Sequence, residues 1–456
     1  MLPKDVSDYL DSHRQDHLDS LCELLRIPSV ANEKTDACQR AAQWLARRLE
    51  QSGVEAQVME TAGRPNVIGR LHVRDDAPTL LVYGHYDVQP AEPLELWDSP
   101  PFEPQIRDGN LYARGADDDK GQLFTHLMAL EAWQACGGPP CNLKFFFEGE
   151  EEIGSPDLEP FIADHVELLR AHAAVISDSD FFAPGVPSIT YALRGLAYME
   201  LTLLGPQADI HSGSHGGAVT NPVNGLARMV AGLADRDGRI TVPGFYDDVL
   251  ELTDEERTEW DALPFDEKEY AASLGVETLG GGERGFSTLE RRWARPTLDA
   301  NGIYGGYSGY GSKTIIPSRA AVKISMRLVS DQDPAKVVEG FRQYVREHTP
   351  PGLRAELKVF TTARPVLLDR AQPAMEAAQT ALEECFGRRA AFIRCGASVP
   401  VTELIQRLLG LDAVLLGYGL PTDNLHSPNE HFALDQFYRG AKTNAAFLNN
   451  FARNWP

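Results

Sequence analysis

The sequence predicts an α/β protein that has a central, mainly parallel sheet with helices on both faces and an inserted α+β domain. At 456 residues the chain is too long for one ordinary core, so two domains are the default. Short apolar runs alternate with stretches of helical spacing in the first part of the chain. The middle part instead alternates apolar and polar residues, which is typical of half-exposed strands.

Helices and strands of the first domain can be placed in order. Residues 5–26 and 35–52 have helical spacing, and the second of these segments ends before Gly53. A further helix is predicted at 120–135, where apolar residues recur at helical spacing up to a pair of glycines. Four short apolar runs predict buried strands, at 79–84, 142–147, 173–176 and 413–416. The last of these runs indicates that the C-terminal part of the chain belongs to the first domain.

The middle of the chain predicts a separate α+β domain. Residues 197–204 and 320–329 alternate like strands with one exposed face. Within the acidic stretch 245–300, Thr253 and Glu256 have the spacing of a helix capping box. The expected boundaries are 1–194 for the first part of the catalytic domain, 195–365 for the inserted domain and 366–456 for the second part.

The composition disfavours several classes of function. A formal net charge of -23 would repel phosphate backbones, so we expect no nucleic-acid partner. The six cysteines include no C-x-x-C pair, which disfavours a thiolate zinc site and indicates reduced thiols in a cytoplasmic protein. The N-terminus lacks the pattern of a signal peptide, and no apolar stretch approaches ~20 residues, so we expect no membrane span.

Acidic residues and histidines cluster just after the apolar runs or just before the 120–135 helix. In a sheet of this kind these positions converge on one edge, where ligands gather. The mixture of imidazole and carboxylate donors suits zinc, manganese or cobalt. Two such ions held together can activate a water, so we expect a two-metal hydrolase. The candidates are His85, Asp118, Glu151, Glu152, Asp178 and His426.

Each candidate has a predicted role. One carboxylate must span both metals, and Asp118 is the candidate for it. A general base must reach the water without being used as a ligand, so we assign Glu151 as base and Glu152 as ligand. Asp178 and His426 complete the set, one for each metal.

Other readings of the same residues stay open at this point. Asp87 could accept the second ring N–H of His85, or the two could be a strand-end histidine beside a solvated aspartate. Asp117 and Asp119 could be solvated loop charges, and Glu150 is expected to be a surface acid.

The sequence resembles the co-catalytic zinc exopeptidases, a family that includes carnosinase-like cytosolic nonspecific dipeptidases, glutamate carboxypeptidase and succinyl-diaminopimelate desuccinylase. The resemblance extends over nearly the whole chain. The matching segments are 83–90 (YGHYDVQP), 97–102 (WDSPPF), 114–115 (RG), 118–121 (DDKG), 148–155 (EGEEEIGS), 211–213 (HSG) and 313–317 (KTIIP).

The resemblance implies two divalent metal ions per subunit, zinc first, with manganese or cobalt as alternatives. It places His85 and Asp178 on one ion, Glu152 and His426 on the other, and Asp118 between them. It also implies a cis peptide bond after Asp118. A cytoplasmic homodimer is expected, with the inserted domain as lid and dimerisation domain.

The resemblance further implies which residues bind substrate. His211 is expected to reach the partner subunit's active site and polarise the scissile carbonyl, although it could be a surface loop histidine. Thr314, Arg327 and Ser398 match segments that bind the substrate carboxylate, and a guanidinium suits that role. Arg327 could instead form a surface ion pair. Ala397 departs from close relatives, which often have two glycines at this point, and His215 has no assigned role.

An aspartate at position 178 is typical of dipeptidase and aminopeptidase members, so we expect cleavage of dipeptides or short peptides. The alternative is an N-acyl amino acid amidohydrolase or carboxypeptidase on the same scaffold. A binding protein without activity would be expected to lack the base, and Glu151 is present. A phosphoesterase is disfavoured because the ligand motifs lack basic residues.

Overall fold

The computed structural model describes residues 1–397 and 399–455. The chain divides into two compact units. The first comprises Met1–Tyr191, Leu368–Ile393 and the residues from Pro400 onward, and the second comprises Ala192–Leu367 and Arg394–Val399. The role of the second unit as lid and dimerisation domain stays a prediction.

Strands are numbered in chain order through both units. They are β1 (Glu55–Met59), β2 (Asn66–Leu71), β3 (Thr79–His85), β4 (Gln105–Arg107), β5 (Asn110–Tyr112), β6 (Asn142–Glu148), β7 (Ala173–Ile176), β8 (Ser188–Leu193), β9 (Gly195–Leu204), β10 (Ile210–His211), β11 (Thr297–Gly305), β12 (Ile315–Ile316), β13 (Arg319–Leu328), β14 (Arg354–Ala363), β15 (Val366–Leu367), β16 (Ala391–Cys395), β17 (Ala413–Leu415) and β18 (His431–Ala433).

Helices are numbered in the same way. They are α1 (Lys4–Ser12), α2 (Arg14–Leu25), α3 (Ala37–Gln51), α4 (Lys120–Ala135), α5 (Leu158–Asp164), α6 (Val166–Leu169), α7 (Ser212–His215), α8 (Pro222–Ala231), α9 (Asp254–Asp261), α10 (Glu267–Ser273), α11 (Thr288–Trp293), α12 (Pro334–His348), α13 (Pro373–Phe386), α14 (Pro400–Leu404) and α15 (Leu434–Asn454). Among these described helices, none is both long and apolar enough to cross a bilayer.

The main sheet has the strand order β1-β2-β6-β3-β7-β17-β8-β15, with β16 also paired with β8, and it has helices on both of its faces. Strands β6, β3, β7 and β17 are parallel, whereas β1, β2 and β8 pair antiparallel with their neighbours. The α/β class is confirmed, and the sheet is mixed, with a parallel centre and antiparallel margins. Because the central strands are buried along nearly their whole length, they occur as continuous apolar runs.

One predicted helix is two helices. The stretch 5–26 is divided into α1 and α2 at His13, whose φ of -110° and ψ of 19° are not helical. The Tyr9 carbonyl oxygen lies 3.0 Å from the Ser12 hydroxyl and 2.9 Å from His13 Nδ1. Such side-chain bonds to the backbone compete with a regular helix, and apolar spacing does not reveal them.

The second unit contains a four-stranded antiparallel sheet with the order β11-β13-β9-β14. Along β9 buried residues alternate with half-buried ones, as the sequence predicted. The buried face packs against residues of α8 and α12, among them Leu226 and Phe341. The capping box of Thr253 and Glu256 is confirmed at the start of α9.

Candidate active site

The carboxyl ends of the central strands bring the predicted metal ligands of the first unit together. His85 is the last residue of β3 and lies beside Glu148, the last residue of β6. Asp178 follows β7 by two residues, and His426 lies in the loop after β17. Parallel strands end at a common edge, which explains why residues from distant parts of the chain meet there.

Two groups of three side chains could each hold a metal ion, and they share one member. The first is His85, Asp118 and Asp178, and the second is Asp118, Glu152 and His426. In each group the ligand atoms all lie within 4.8 Å of one another. The two carboxylate oxygens of Asp118 point in different directions. Oδ1 lies 3.1 Å from His85 Nε2, and Oδ2 lies 2.9 Å from His426 Nε2.

The chemistry of these groups fits a pair of divalent cations. His85 is fully buried, and its Nε2 faces the carboxylates of Asp118 and Asp178 at 3.1 and 3.9 Å. Burial, followed by the charges of Asp178 and Asp118, raises the pKa of Glu151 to about 9. Burial, followed by the charge of Asp118, raises the pKa of Glu152 to about 8. Cations would offset this repulsion between carboxylates, and imidazole with carboxylate is a donor set suited to zinc or manganese.

Glu151 and Glu152 lie in different positions relative to these groups. The Glu152 carboxylate belongs to the second group, and Gln89 donates to both of its oxygens, from the backbone N at 3.1 Å and from Nε2 at 2.8 Å. Glu151 belongs to neither group among the described residues, although its charge interacts with Asp118 and Asp178. Its carboxylate is therefore not used as a ligand in either group, and it would be able to accept a proton once cations bound at the two groups offset the repulsion that raises its pKa.

Asp87 links the end of β3 to the segment that contains Glu151 and Glu152. Its carboxylate accepts the backbone N–H of Glu151 at 3.2 Å and that of Glu152 at 3.0 Å. The Nδ1 atom of His85 lies 3.1 Å from the Asp87 carbonyl oxygen and 3.4 Å from its carboxylate. Asp87 thus positions the ring of one predicted ligand, His85, and the backbone of another, Glu152.

Replacing Asp87 with asparagine should weaken metal binding without removing a ligand. The amide has one oxygen acceptor in place of two, so one of the two N–H groups loses its partner. Changes to residues that orient ligands typically cost about 10- to 100-fold in metal affinity. Titration of the metal-free variant with zinc against a chelating dye would measure this. An affinity equal to that of the wild type would exclude the positioning role of Asp87.

A buried ion pair holds the loop that carries Asp118. Glu430 lies 2.7 Å from Arg114, and both side chains are about 1% exposed. The Glu430 carboxylate also accepts the backbone N–H groups of Gly115, Asp117 and Asp118 at 3.0–3.1 Å. The peptide bond that follows Asp118 is cis, as the resemblance implied. Glu430 was not assigned a role from the sequence, although it lies in the same segment as His426.

The change Glu430→Gln should lower the free energy of unfolding by about 3–5 kcal/mol, because it leaves the buried Arg114 without its compensating charge. Urea denaturation would measure the loss. Glu103→Gln is the matched control, since Glu103 forms an exposed ion pair with Arg26 and should change stability by less than about 0.5 kcal/mol. Equal effects of the two changes would contradict the proposed importance of the buried pair.

Three acids beside the ligands are more buried than the sequence suggested. Glu150 is 6% exposed, so the expectation of a surface acid is wrong. Asp117 and Asp119 are 0% exposed and are not solvated loop charges. Asp119 accepts the backbone N–H of His85 at 3.0 Å and thereby supports a ligand. Runs of acids usually face water, but one of these runs follows the buried strand β6 and the other directly precedes the buried helix α4.

The second unit contains three of the predicted substrate-binding residues. His211 ends β10, is exposed, and accepts the Gly213 N–H at Nδ1 over 3.0 Å. Thr314 precedes β12, and its carbonyl oxygen accepts the Ser212 N–H at 3.0 Å, which places it beside His211. Because Nδ1 of His211 is an acceptor, Nε2 carries the proton of the neutral ring and can donate.

Arg327 lies on β13, opposite Leu196 on β9 and Thr297 on β11. Ser398 lies outside the described residues. His215 is the exposed last residue of α7 and still has no assigned role.

The chain is similar to known metallopeptidases. A sequence model described as Peptidase family M20/M25/M40 matches residues 81–450. The Cys-Gly metallodipeptidase DUG1 of Candida albicans is 31% identical, over 98% of this chain and 96% of its own. The human Beta-Ala-His dipeptidase is 29% identical, over 98% and 92%.

A solved structure is also similar to this chain. The M20 family metallo-carboxypeptidase Sso-CP2 from Sulfolobus solfataricus has a TM-score of 0.86 and 33% identity, covering 96% of this chain and 100% of that chain. The match to the family model covers most of the sequence, and the relatives align over nearly their whole length. This chain is therefore a member of peptidase family M20/M25/M40.

Proposed function

We propose that this protein is a metal-dependent dipeptidase. The observation that carries the proposal is the Asp118 carboxylate, which belongs to both potential metal groups while Glu151 belongs to neither. The arrangement supports two cation sites with Glu151 as an adjacent base. Two of the relatives named above are dipeptidases, which supports dipeptides as the substrates.

The chain's own residues supply the remaining chemistry. Divalent ions bound at the two groups would lower the pKa of a water and polarise a carbonyl. Glu151 takes a proton from the attacking water and returns it to the amine that leaves. Asp87 and Gln89 hold the backbone and the carboxylate of the neighbouring Glu152 in place.

Substrate binding is assigned to residues of the second unit. His211 donates from Nε2 to the carbonyl oxygen of the scissile bond in the partner subunit's active site. Arg327, with Thr314 and Ser398, binds the terminal carboxylate. The resemblance supports these roles, and the Gly213 N–H bond to His211 Nδ1 leaves Nε2 as the nitrogen that can donate.

Finer properties are also part of the proposal. We infer two zinc ions per subunit, with manganese or cobalt as alternatives, and a cytoplasmic homodimer. The donor set supports zinc, and the cysteine pattern supports a reducing compartment. The homodimer is inferred from the resemblance alone, and light scattering during gel filtration would test it.

A carboxypeptidase that acts on longer peptides is the second candidate, because Sso-CP2 carries that description. The decisive experiment treats the protein with a chelator, restores zinc, manganese or cobalt separately, and offers dipeptides, tripeptides, longer peptides and N-acyl amino acids. A dipeptidase cleaves the free dipeptides fastest with at least one metal. Cleavage of long peptides or N-acyl amino acids with no cleavage of dipeptides would contradict the proposal.

A further inference from the structure

Helix α4 contacts both of the segments that carry the unshared ligands of the first metal group. Asp119 directly precedes α4, and its carboxylate accepts the backbone N–H of His85 at 3.0 Å. About two turns further along the helix, Nε2 of His126 lies 2.8 Å from the hydroxyl of Ser177, the residue before Asp178. His126 is 5% exposed and Ser177 is 1% exposed. One helix is therefore in contact with the backbone of both ligands.

The hydrogen bond between His126 and Ser177 has a defined direction. The Ser177 hydroxyl donates its one hydrogen to the Leu416 carbonyl oxygen at 2.6 Å, because a carbonyl oxygen can only accept. The hydroxyl oxygen must then accept from His126, so Nε2 of that ring carries the proton. Burial lowers the pKa of His126 to about 3, so the ring is neutral and remains a fixed donor at neutral pH. Ser177 is thus held between α4 and the end of β17.

Other polar residues of α4 have partners that do not adjoin a predicted ligand. Gln122 lies one turn before His126, and its Oε1 accepts the backbone N–H of Tyr418 at 2.8 Å. The Thr125 hydroxyl accepts from Asn444 Nδ2 at 2.8 Å and donates to the Gln122 carbonyl oxygen at 2.5 Å. Thr125 is 0% exposed, so it is at least as buried as His126. His126 differs from these neighbours because its partner directly precedes a predicted ligand.

We propose that His126 is a positioning residue for the first metal group. Its hydrogen bond to Ser177 holds the backbone that carries Asp178, while Asp119 holds the backbone of His85 from the start of the same helix. Hydrogen bonds that orient ligands typically change metal affinity by about 10- to 100-fold when they are lost. The inference rests on the proposed two-metal function and adds a residue to which the resemblance gave no role.

The test is titration of the metal-free protein with zinc against a chelating dye, which resolves the binding of the two ions. In His126→Leu the donor is removed, so the binding of one ion should weaken by about 10- to 100-fold while that of the other stays within about twofold of the wild-type value. In His126→Gln an amide N–H replaces the imidazole N–H. This variant should recover most of the lost affinity, because it can still donate to the Ser177 hydroxyl.

Thr125→Val is the matched control. It changes a buried residue of the same helix and also removes a buried hydrogen bond, so it should lower the thermal stability of the metal-free protein much as His126→Leu does. It should nevertheless leave the affinity for both ions within about twofold of the wild-type value. Asp178→Asn identifies the ion that is affected, because Asp178 belongs to the first group alone. The ion that His126→Leu weakens should be the one that Asp178→Asn weakens.

The inference is overturned if His126→Leu leaves the affinity for both ions unchanged, weakens both equally, or weakens the ion that Asp178→Asn leaves in place. Ser177→Ala gives a second route if His126→Leu does not fold, because it removes the same hydrogen bond from the other side. It should weaken the same ion, and unchanged affinity in this variant would also overturn the inference. Failure of the proposed function would look different, because the wild-type protein itself would then not hydrolyse a dipeptide, whatever the zinc affinities of the variants.

Discussion

Replacing Glu151 with glutamine should reduce kcat by about 10²- to 10⁴-fold while metal content stays at the wild-type value. The amide is nearly the same size as the carboxylate but cannot accept a proton. Glu151 belongs to neither metal group, so the ions should still bind. Steady-state kinetics on a dipeptide, with metal analysis of the same samples, would measure both quantities.

The neighbouring Glu150 offers a matched control for that experiment. It is also buried and lies one residue away, yet it belongs to neither group. Glu150→Gln should therefore change kcat by no more than about threefold. If Glu151→Gln turned over at the wild-type rate, Glu151 would not be the base. If it lost a metal ion, Glu151 would have to be reassigned as a ligand.

Replacing Asp118 with asparagine should have the largest effect of all. Its two oxygens face His85 and His426 separately, so both metal groups lose their shared negative charge. We expect a loss of at least about 10³-fold in kcat/KM, because both ions contribute to activating the water and the carbonyl. Metal content measured by mass spectrometry after gel filtration should decrease for both sites.

Asp178→Asn provides the comparison for Asp118→Asn. Asp178 belongs only to the group with His85. Its loss should weaken the binding of one ion and leave the group of Glu152 and His426 intact. The two variants should therefore differ in stoichiometry, with one ion retained only in Asp178→Asn. Equal stoichiometry in the two variants would contradict a bridging role for Asp118.

Local sequence patterns were sufficient to predict the central strands of the main sheet. Apolar runs located β3, β6, β7 and β17 because these strands are buried and therefore continuous in sequence. Because parallel strands end at one edge of the sheet, His85 and Asp178 were then expected to lie near one another. The break at His13 was missed because it depends on side-chain bonds to one carbonyl, which apolar spacing does not record.

Tertiary contacts limited what could be predicted about the site. Glu430 bonds to the backbone of Asp118 across 312 residues of sequence, and no local pattern indicates such a partner. The burial of Glu150 and Asp117 likewise follows from how the strand ends pack, whereas a run of acids by itself suggests a solvated loop.

The central claim is that two metal ions bind on either side of Asp118. Anomalous diffraction from crystals grown with zinc, collected above and below the zinc absorption edge, tests it most directly. We predict two anomalous peaks, one beside His85 and Asp178 and one beside Glu152 and His426, with the Asp118 carboxylate between them. A single peak, or peaks remote from these side chains, would contradict the account.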